Sequence, residues 1–312
     1  MFDLTPDPVA FQIGPIPILW YGLAYAVGLA AVYLVVTRLA RVTGRDPELV
    51  GNGILVIAVA ALAGGRLYHV IDQWERYAAD PLSIVLPPYS GLGVYGGIVT
   101  GTLAAWLYLR WLREPFWTWA DIVAPGLFVM QAIGRWGNFF NQELYGPPTT
   151  LPWGIPIECA HRIPAYPCDA FPFDTTRFHP LFLYESLSGV LGAIVLSFLL
   201  VRYRHRFAPG SLLFLFFIWY GVVRFALETL RENNWIAFGV PTAQIVSVAF
   251  ILVGFVGLLV RNSGPAGRRR DEEAGSDAQD DDADTADAEA TGTGVVADEP
   301  EAGAPDHRPA GG

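Results

Sequence analysis

The chain contains no lysine; all 20 of its basic residues are arginine. Charge of either sign is scarce, at 16% of residues against 53% hydrophobic ones, and the mean hydropathy is +0.36. That balance excludes an ordinary soluble domain and points to a polytopic membrane protein. Only five histidines occur. They are scattered, and none pairs with a cysteine at zinc-finger spacing, so no metal site is expected. There are two cysteines, Cys159 and Cys168, in one polar segment. They are either unrelated or joined locally if that segment faces an oxidising compartment. No basic residue precedes Arg38, so the N-terminus lacks the pattern of a cleavable signal peptide. Alternating ten-residue segments are missing, which argues against β-barrel spans. No internal repeat of the transporter kind is visible.

What the chain does have is seven apolar segments of about 20 residues, the length that crosses a ~30 Å hydrocarbon core. They cover residues 17–38, 49–70, 91–112, 118–138, 181–201, 210–230 and 241–260. Helices satisfy their own backbone hydrogen bonds in lipid, so an all-α bundle of seven transmembrane helices follows. The net charge of −10 is uneven: residues 271–312 carry 14 acidic residues against one arginine, and residues 1–270 carry 19 arginines against 16 acidic residues. Residues 263–312 therefore read as a disordered acidic tail, too polar to bury a core. Residues 1–262 read as the membrane domain.

Arginine placement sets the orientation. Arg38, Arg41 and Arg45 follow the first segment, Arg110 and Arg113 the third, and Arg202, Arg204 and Arg206 the fifth. Arg261 and Arg268 to Arg270 follow the seventh, and all these groups fall on one side. The expected topology is multi-pass in a bacterial plasma membrane, with an extracytoplasmic N-terminus and a cytoplasmic C-terminus. The connection over residues 139–180, rich in proline and aromatics, is expected to form a small extracytoplasmic cap.

Several charged residues lie where lipid makes charge costly. Arg224 and Glu228 are four apart on one helix face. Arg66 and Arg231 are placed to snorkel to headgroups, and His69 reads as a satisfied interfacial histidine. Asp121 suits a helix N-terminus. Trp20 and Tyr21 suit an interfacial aromatic belt. Tyr184 and Glu185 open the fifth segment. The densest cluster is GRWGNFFNQELYG, residues 134–146. Arg135, Asn138, Asn141 and Gln142 are spaced by three and four, so they share a face if the helix continues. Arginine binds phosphate through a planar fork, and amides add neutral donors. A phosphodiester headgroup bearing hydroxyls is a good chemical match. Glycines 134, 137 and 146 permit close approach of backbone.

These residues resemble the prolipoprotein diacylglyceryl transferase family. GRWGNFFNQELYG is similar to that family's most specific motif, and support comes in order from GPIPILWYGLAYAVG, GGRLYHVI, GLGVYGG, FHPLFLYES and WYGVVRFALETLRE, over residues 12–260. The resemblance implies an enzyme that moves the diacylglyceryl group of phosphatidylglycerol to the lipobox cysteine thiol of a preprolipoprotein. A thioether forms and glycerol phosphate leaves. It implies phosphatidylglycerol, preprolipoprotein signal peptides and the bilayer as partners, with no nucleic acid and no cofactor. It places Arg135, Arg224, Asn138, Glu143, Tyr21 and Glu228 in the catalytic set. Arg135, Arg224, Asn138, Asn141, Gly146, Tyr95 and Glu185 are placed against phosphatidylglycerol. Arg135 and Arg224 would stabilise charge on the leaving phosphate while Asn138 orients the headgroup. Glu143 and Glu228 would hold the arginines or accept a proton. Where many family members have a histidine before the GG of the third segment, this chain has Tyr95. A phenol, with an ordinary pKa near 10, is a poor base at neutral pH, so no obligatory base is expected there. Two other classes remain in view: a secondary transporter of an anionic solute and a non-catalytic phospholipid-binding membrane protein.

Overall fold

The computed structural model describes residues 5–78, 80–84, 91, 93–232 and 234–263. The acidic run expected to be disordered lies outside these residues except for Ser263, as does most of the LPPYSG stretch. The chain opens with an antiparallel hairpin, β1 (Val9–Ile13) and β2 (Ile16–Leu19). Four helices follow: α1 (Trp20–Val42), α2 (Glu48–Asp72), the short α3 (Trp74–Ala78) and α4 (Val94–Trp111). Next come α5 (Phe116–Phe140), α6 (Leu181–Tyr203) and α7 (Ser211–Glu228). A second hairpin, β3 (Ile236–Ala237) with β4 (Val240–Pro241), leads into α8 (Thr242–Ser263). Helix dominates, and each sheet has only two strands.

Among the described residues, six helices are long and apolar enough to cross a membrane: α1, α2, α5, α6, α7 and α8. The shortest of them, α7, has 18 residues, about 27 Å at 1.5 Å per residue. Large apolar side chains cover the outside; on α8 alone Leu252, Val253, Phe255, Val256, Leu259 and Val260 are exposed. Monomeric soluble proteins do not carry apolar surface on that scale. The remaining expected segment, residues 91–112, is present as α4, also 18 residues long, but diluted by Gly96, Gly97, Thr100 and Gly101. Those small residues serve packing. A Cβ on Gly96 would run into the Gly64 carbonyl of α2, and Thr100 Oγ1 donates to the Ala60 carbonyl at 2.8 Å. Close backbone approach of this kind is how helices associate in lipid, where no hydrophobic driving force separates helix from tail.

Helix α5 is central, packed against α1 on one flank and α6 on the other, with α7 behind; α2 pairs with α4, and α7 with α8. The apolar core lies at one end of this bundle. It joins Val36, Leu39 and Ala40 of α1, Trp119, Ile122 and Phe128 of α5, Leu196 and Leu200 of α6, and Leu212 of α7. Asp121 locks the same end. Its carboxylate accepts hydrogen bonds from the backbone N–H groups of Gly210 (2.7 Å), Leu212 (2.8 Å) and Leu213 (3.1 Å). It thus caps α7, two helices further along the chain, rather than its own helix. Unpaired amides at a helix start attract a carboxylate.

Candidate active site

The polar residues gather at the opposite end, where the start of α1, the end of α5, the start of α6 and the end of α7 meet. Glu185 on α6 is 3% exposed and holds two arginines from different helices. Its Oε1 lies 2.9 Å from Arg224 Nη1, and its Oε2 contacts Arg135 Nε. Arg224 Nη2 reaches Glu228 Oε2 at 2.7 Å, and Arg231 Nη1 reaches the same oxygen at 3.4 Å. The result is a line of alternating charge, Arg135–Glu185–Arg224–Glu228–Arg231, tying α5, α6 and α7 together. Arg231 does not reach past the protein to headgroups as the sequence reading expected. Its position three residues after Glu228 was the available signal.

Arg135 Nη1 donates to Asn138 Oδ1 at 3.4 Å, and Asn138 Nδ2 donates to Glu143 Oε1 at 2.7 Å. Asn141 Nδ2 reaches that oxygen too, at 3.3 Å. Arg135 Nη2 and Glu143 Oε2 make no hydrogen bond among the described residues. Glu143 is exposed, so its carboxylate faces solvent. Tyr21 completes the group from α1. Its ring packs on Gly137, where a Cβ would come within 2.5 Å of Cδ2, and its hydroxyl lies 3.3 Å from that of Tyr25. Its neighbour Trp20 turns outward and stacks on Phe140 at 4.7 Å. The two adjacent aromatics therefore divide, one to the surface and one to the site.

The shared face expected for Arg135, Asn138, Asn141 and Gln142 is interrupted. Helix α5 stops at Phe140, and Gln142 and Leu144 have φ of +52° and +57°. Left-handed backbone turns Gln142 inward to 3% exposure. There its Nε2 donates to the Pro6 carbonyl at 3.3 Å and its Oε1 accepts from the Glu158 N–H at 2.9 Å. Gly146 likewise meets protein: a Cβ there would sit 3.0 Å from His179 Cβ and 3.2 Å from the Leu230 carbonyl.

Tyr95 is not brought to this cluster. It sits on α4, more than half exposed, with its ring 6.1 Å from that of Tyr68 on α2. Arg66 does not snorkel. Its guanidinium donates to the carbonyls of Ser83 (3.0 Å), Ile84 (3.2 Å) and Gly91 (3.3 Å) and to Tyr77 Oη (3.1 Å), closing the α2–α4 connection. His69 stands edge-on to Tyr77, and its Nε2 has no hydrogen-bond partner among the described residues. Tyr184, beside Glu185 in sequence, faces away from the arginines and pairs with His179 Nδ1 at 3.0 Å.

The connection between α5 and α6 has a small core of its own, formed by Tyr145, Ile155, Ile157, Tyr166, Phe178 and Phe182. Cys159 and Cys168 are joined by a disulfide, with Cα atoms 5.7 Å apart. Burial, reinforced by Glu232, pushes the Tyr166 hydroxyl up to about 12, and burial raises that of Tyr145. Both remain protonated at neutral pH. No cluster of three or more potential metal ligands occurs among the described residues.

Fold and site together define a multi-pass helical membrane protein with a row of opposite charges, built on two buried carboxylates, at one end of its bundle. The model of the family described as prolipoprotein diacylglyceryl transferase matches residues 8–260, and the chain belongs to that family. A phosphatidylglycerol–prolipoprotein diacylglyceryl transferase of Chloroflexus aggregans is 38% identical over 266 residues, covering 80% of this chain and 87% of that protein. One of Gloeobacter violaceus is 38% identical over 255 residues, covering 81% and 92%. One of Enterococcus faecalis is 36% identical over 260 residues, covering 83% and 92%.

Proposed function

We propose that this chain transfers the diacylglyceryl group of phosphatidylglycerol to the cysteine thiol of a prolipoprotein lipobox. The thiol sulfur attacks the glycerol carbon bonded to the phosphate oxygen. The C–S bond forms as the C–O bond breaks, the electron pair leaves with glycerol phosphate, and the thiol proton is released. Negative charge grows on the phosphate during the step. Donors fixed at that position stabilise the transition state more than the ground state.

One observation carries the reading: a single buried carboxylate, Glu185, pairs with both Arg135 and Arg224 from two different helices. Glu185 and Glu228 are the groups that fix the guanidiniums, and Asn138, itself held by Glu143, orients the headgroup. The free oxygen of exposed Glu143 is the acceptor for the thiol proton or for a headgroup hydroxyl. Cationic neighbours also lower the pKa of an incoming thiol, which makes the thiolate available. Tyr95 takes no part in proton transfer.

In this reading α4 also spans the membrane, which makes seven spans, and the membrane domain covers residues 1–262. The N-terminus and residues 139–180 lie outside the cytoplasm, with the latter forming the cap, and residues 263–312 extend into it. The disulfide supports that orientation, because such bonds persist in oxidising compartments. The test is purified protein in phosphatidylglycerol vesicles with a labelled lipobox peptide. Attachment of diacylglycerol with release of glycerol phosphate supports transfer. Binding of the lipid without turnover, or solute flux without turnover, overturns it.

A further inference from the structure

We propose that the Cys159–Cys168 loop is the positioning clamp for Glu143 and Asn138, so that catalysis depends on an oxidised loop. The proposal rests on the transfer reading for its kinetic consequences. The chain of contacts is short. The residue just before the bridge, Glu158, donates its backbone N–H to Gln142 Oε1 at 2.9 Å. Within the bridged loop, the Ile163 N–H donates to Tyr145 Oη at 2.7 Å. Arg162, over the Phe178 ring at 5.0 Å, donates to the Ile157 carbonyl at 2.9 Å and to that of Phe171. Gln142 and Tyr145 thus bracket Glu143 and Leu144 on both sides, and the loop holds each of them through a backbone amide.

That bracket is where the backbone is strained. Gln142 and Leu144 are both non-glycine residues at positive φ, a conformation that persists only when surrounding contacts enforce it. The same turn sets where Glu143 Oε1 meets the amides of Asn138 and Asn141. A closed loop of ten residues has far fewer conformations than an open one. The bridge therefore keeps two amides in place against a turn that would otherwise relax. Reduction by a phosphine opens it: the disulfide becomes two thiols, and the phosphine takes the oxygen of one water to become its oxide.

The experiment compares wild type, the double variant Cys159→Ala/Cys168→Ala, Gln142→Ala and the triple variant, each in phosphatidylglycerol vesicles. Loss of the bridge is expected to lower kcat about tenfold or more, the scale of a slightly misplaced catalytic group, with little change in KM for the lipid. The triple variant is expected to be no worse than the double, because bridge and glutamine act through one contact. Phosphine-treated wild type is expected to match the double variant, which covers the case of a variant that folds poorly. Amide exchange is read in parallel. Residues 141–146 are expected to exchange faster without the bridge while residues 116–138 stay unchanged, and this holds whether or not the wild type transfers lipid. Unchanged exchange at 141–146 in both bridge-free forms overturns the clamp. So does full turnover without the bridge, or independent, multiplicative losses from the bridge and Gln142→Ala.

Discussion

At the scale of single residues, the site is governed by the cost of burying charge. Glu185 and Glu228 are each 3% exposed, and a buried carboxylate is tolerated only when paired. Each of them has two arginine partners. Ion pairs buried in this way give little net stability compared with apolar packing, so their presence is better explained by the guanidinium geometry they enforce. Lysine keeps the charge but not the planar fork. Arg135→Lys is therefore expected to lower kcat by about 10²-fold, the usual loss for one fixed donor to a developing oxyanion, with similar protein in the membrane fraction. Vesicle turnover normalised to inserted protein checks it. Tyr95→Phe is expected to retain most wild-type turnover, since the Tyr95 ring packs near that of Tyr68 on α2. A dead Tyr95→Phe enzyme would return the phenol to the chemistry.

At the scale of elements, two ties fix the ends of α7. Glu185 of α6 holds one end through Arg224, and Asp121 of α5 caps the other through three backbone amides. Asp121→Ala is expected to cost about 1–2 kcal/mol, the range for a lost helix cap, and to leave KM for the lipid unchanged. Thermal unfolding in detergent, alongside vesicle kinetics, separates these effects. Much of the element plan was legible in sequence because apolar length and period report directly on helices in lipid. The residues of the Arg135 motif and of the Arg224–Glu228 pair were legible for the same reason, as they are neighbours along a helix. The link through Glu185 was not, since periodicity says which residues share a helix face but nothing about which helices adjoin. Gln142 was misplaced because its left-handed turn depends on Glu158 and Pro6, both remote in sequence. Arg66 and Arg231 read as snorkelling because their partners are loop carbonyls and a carboxylate that turns inward only in the folded bundle.

At the scale of the molecule, apolar core and charged site occupy opposite ends of the bundle, and the arginine-rich loops flank the core end. This polarity predicts that the two ends face different compartments. A cysteine introduced at exposed Arg113, in a Cys159→Ala/Cys168→Ala background, is expected to resist an impermeant maleimide in intact cells. One introduced at exposed Asp174 is expected to react. Equal labelling at both positions contradicts the orientation. The central claim is that Arg135 and Arg224, clasped by Glu185, grip the glycerol phosphate group as sulfur displaces it. Its most direct measurement is glycerol phosphate release from phosphatidylglycerol vesicles in the presence of a lipobox peptide, for wild type, Arg135→Ala and Arg224→Ala, each confirmed as inserted. The account predicts release by wild type and none above background from either variant; wild-type release from Arg135→Ala would contradict it.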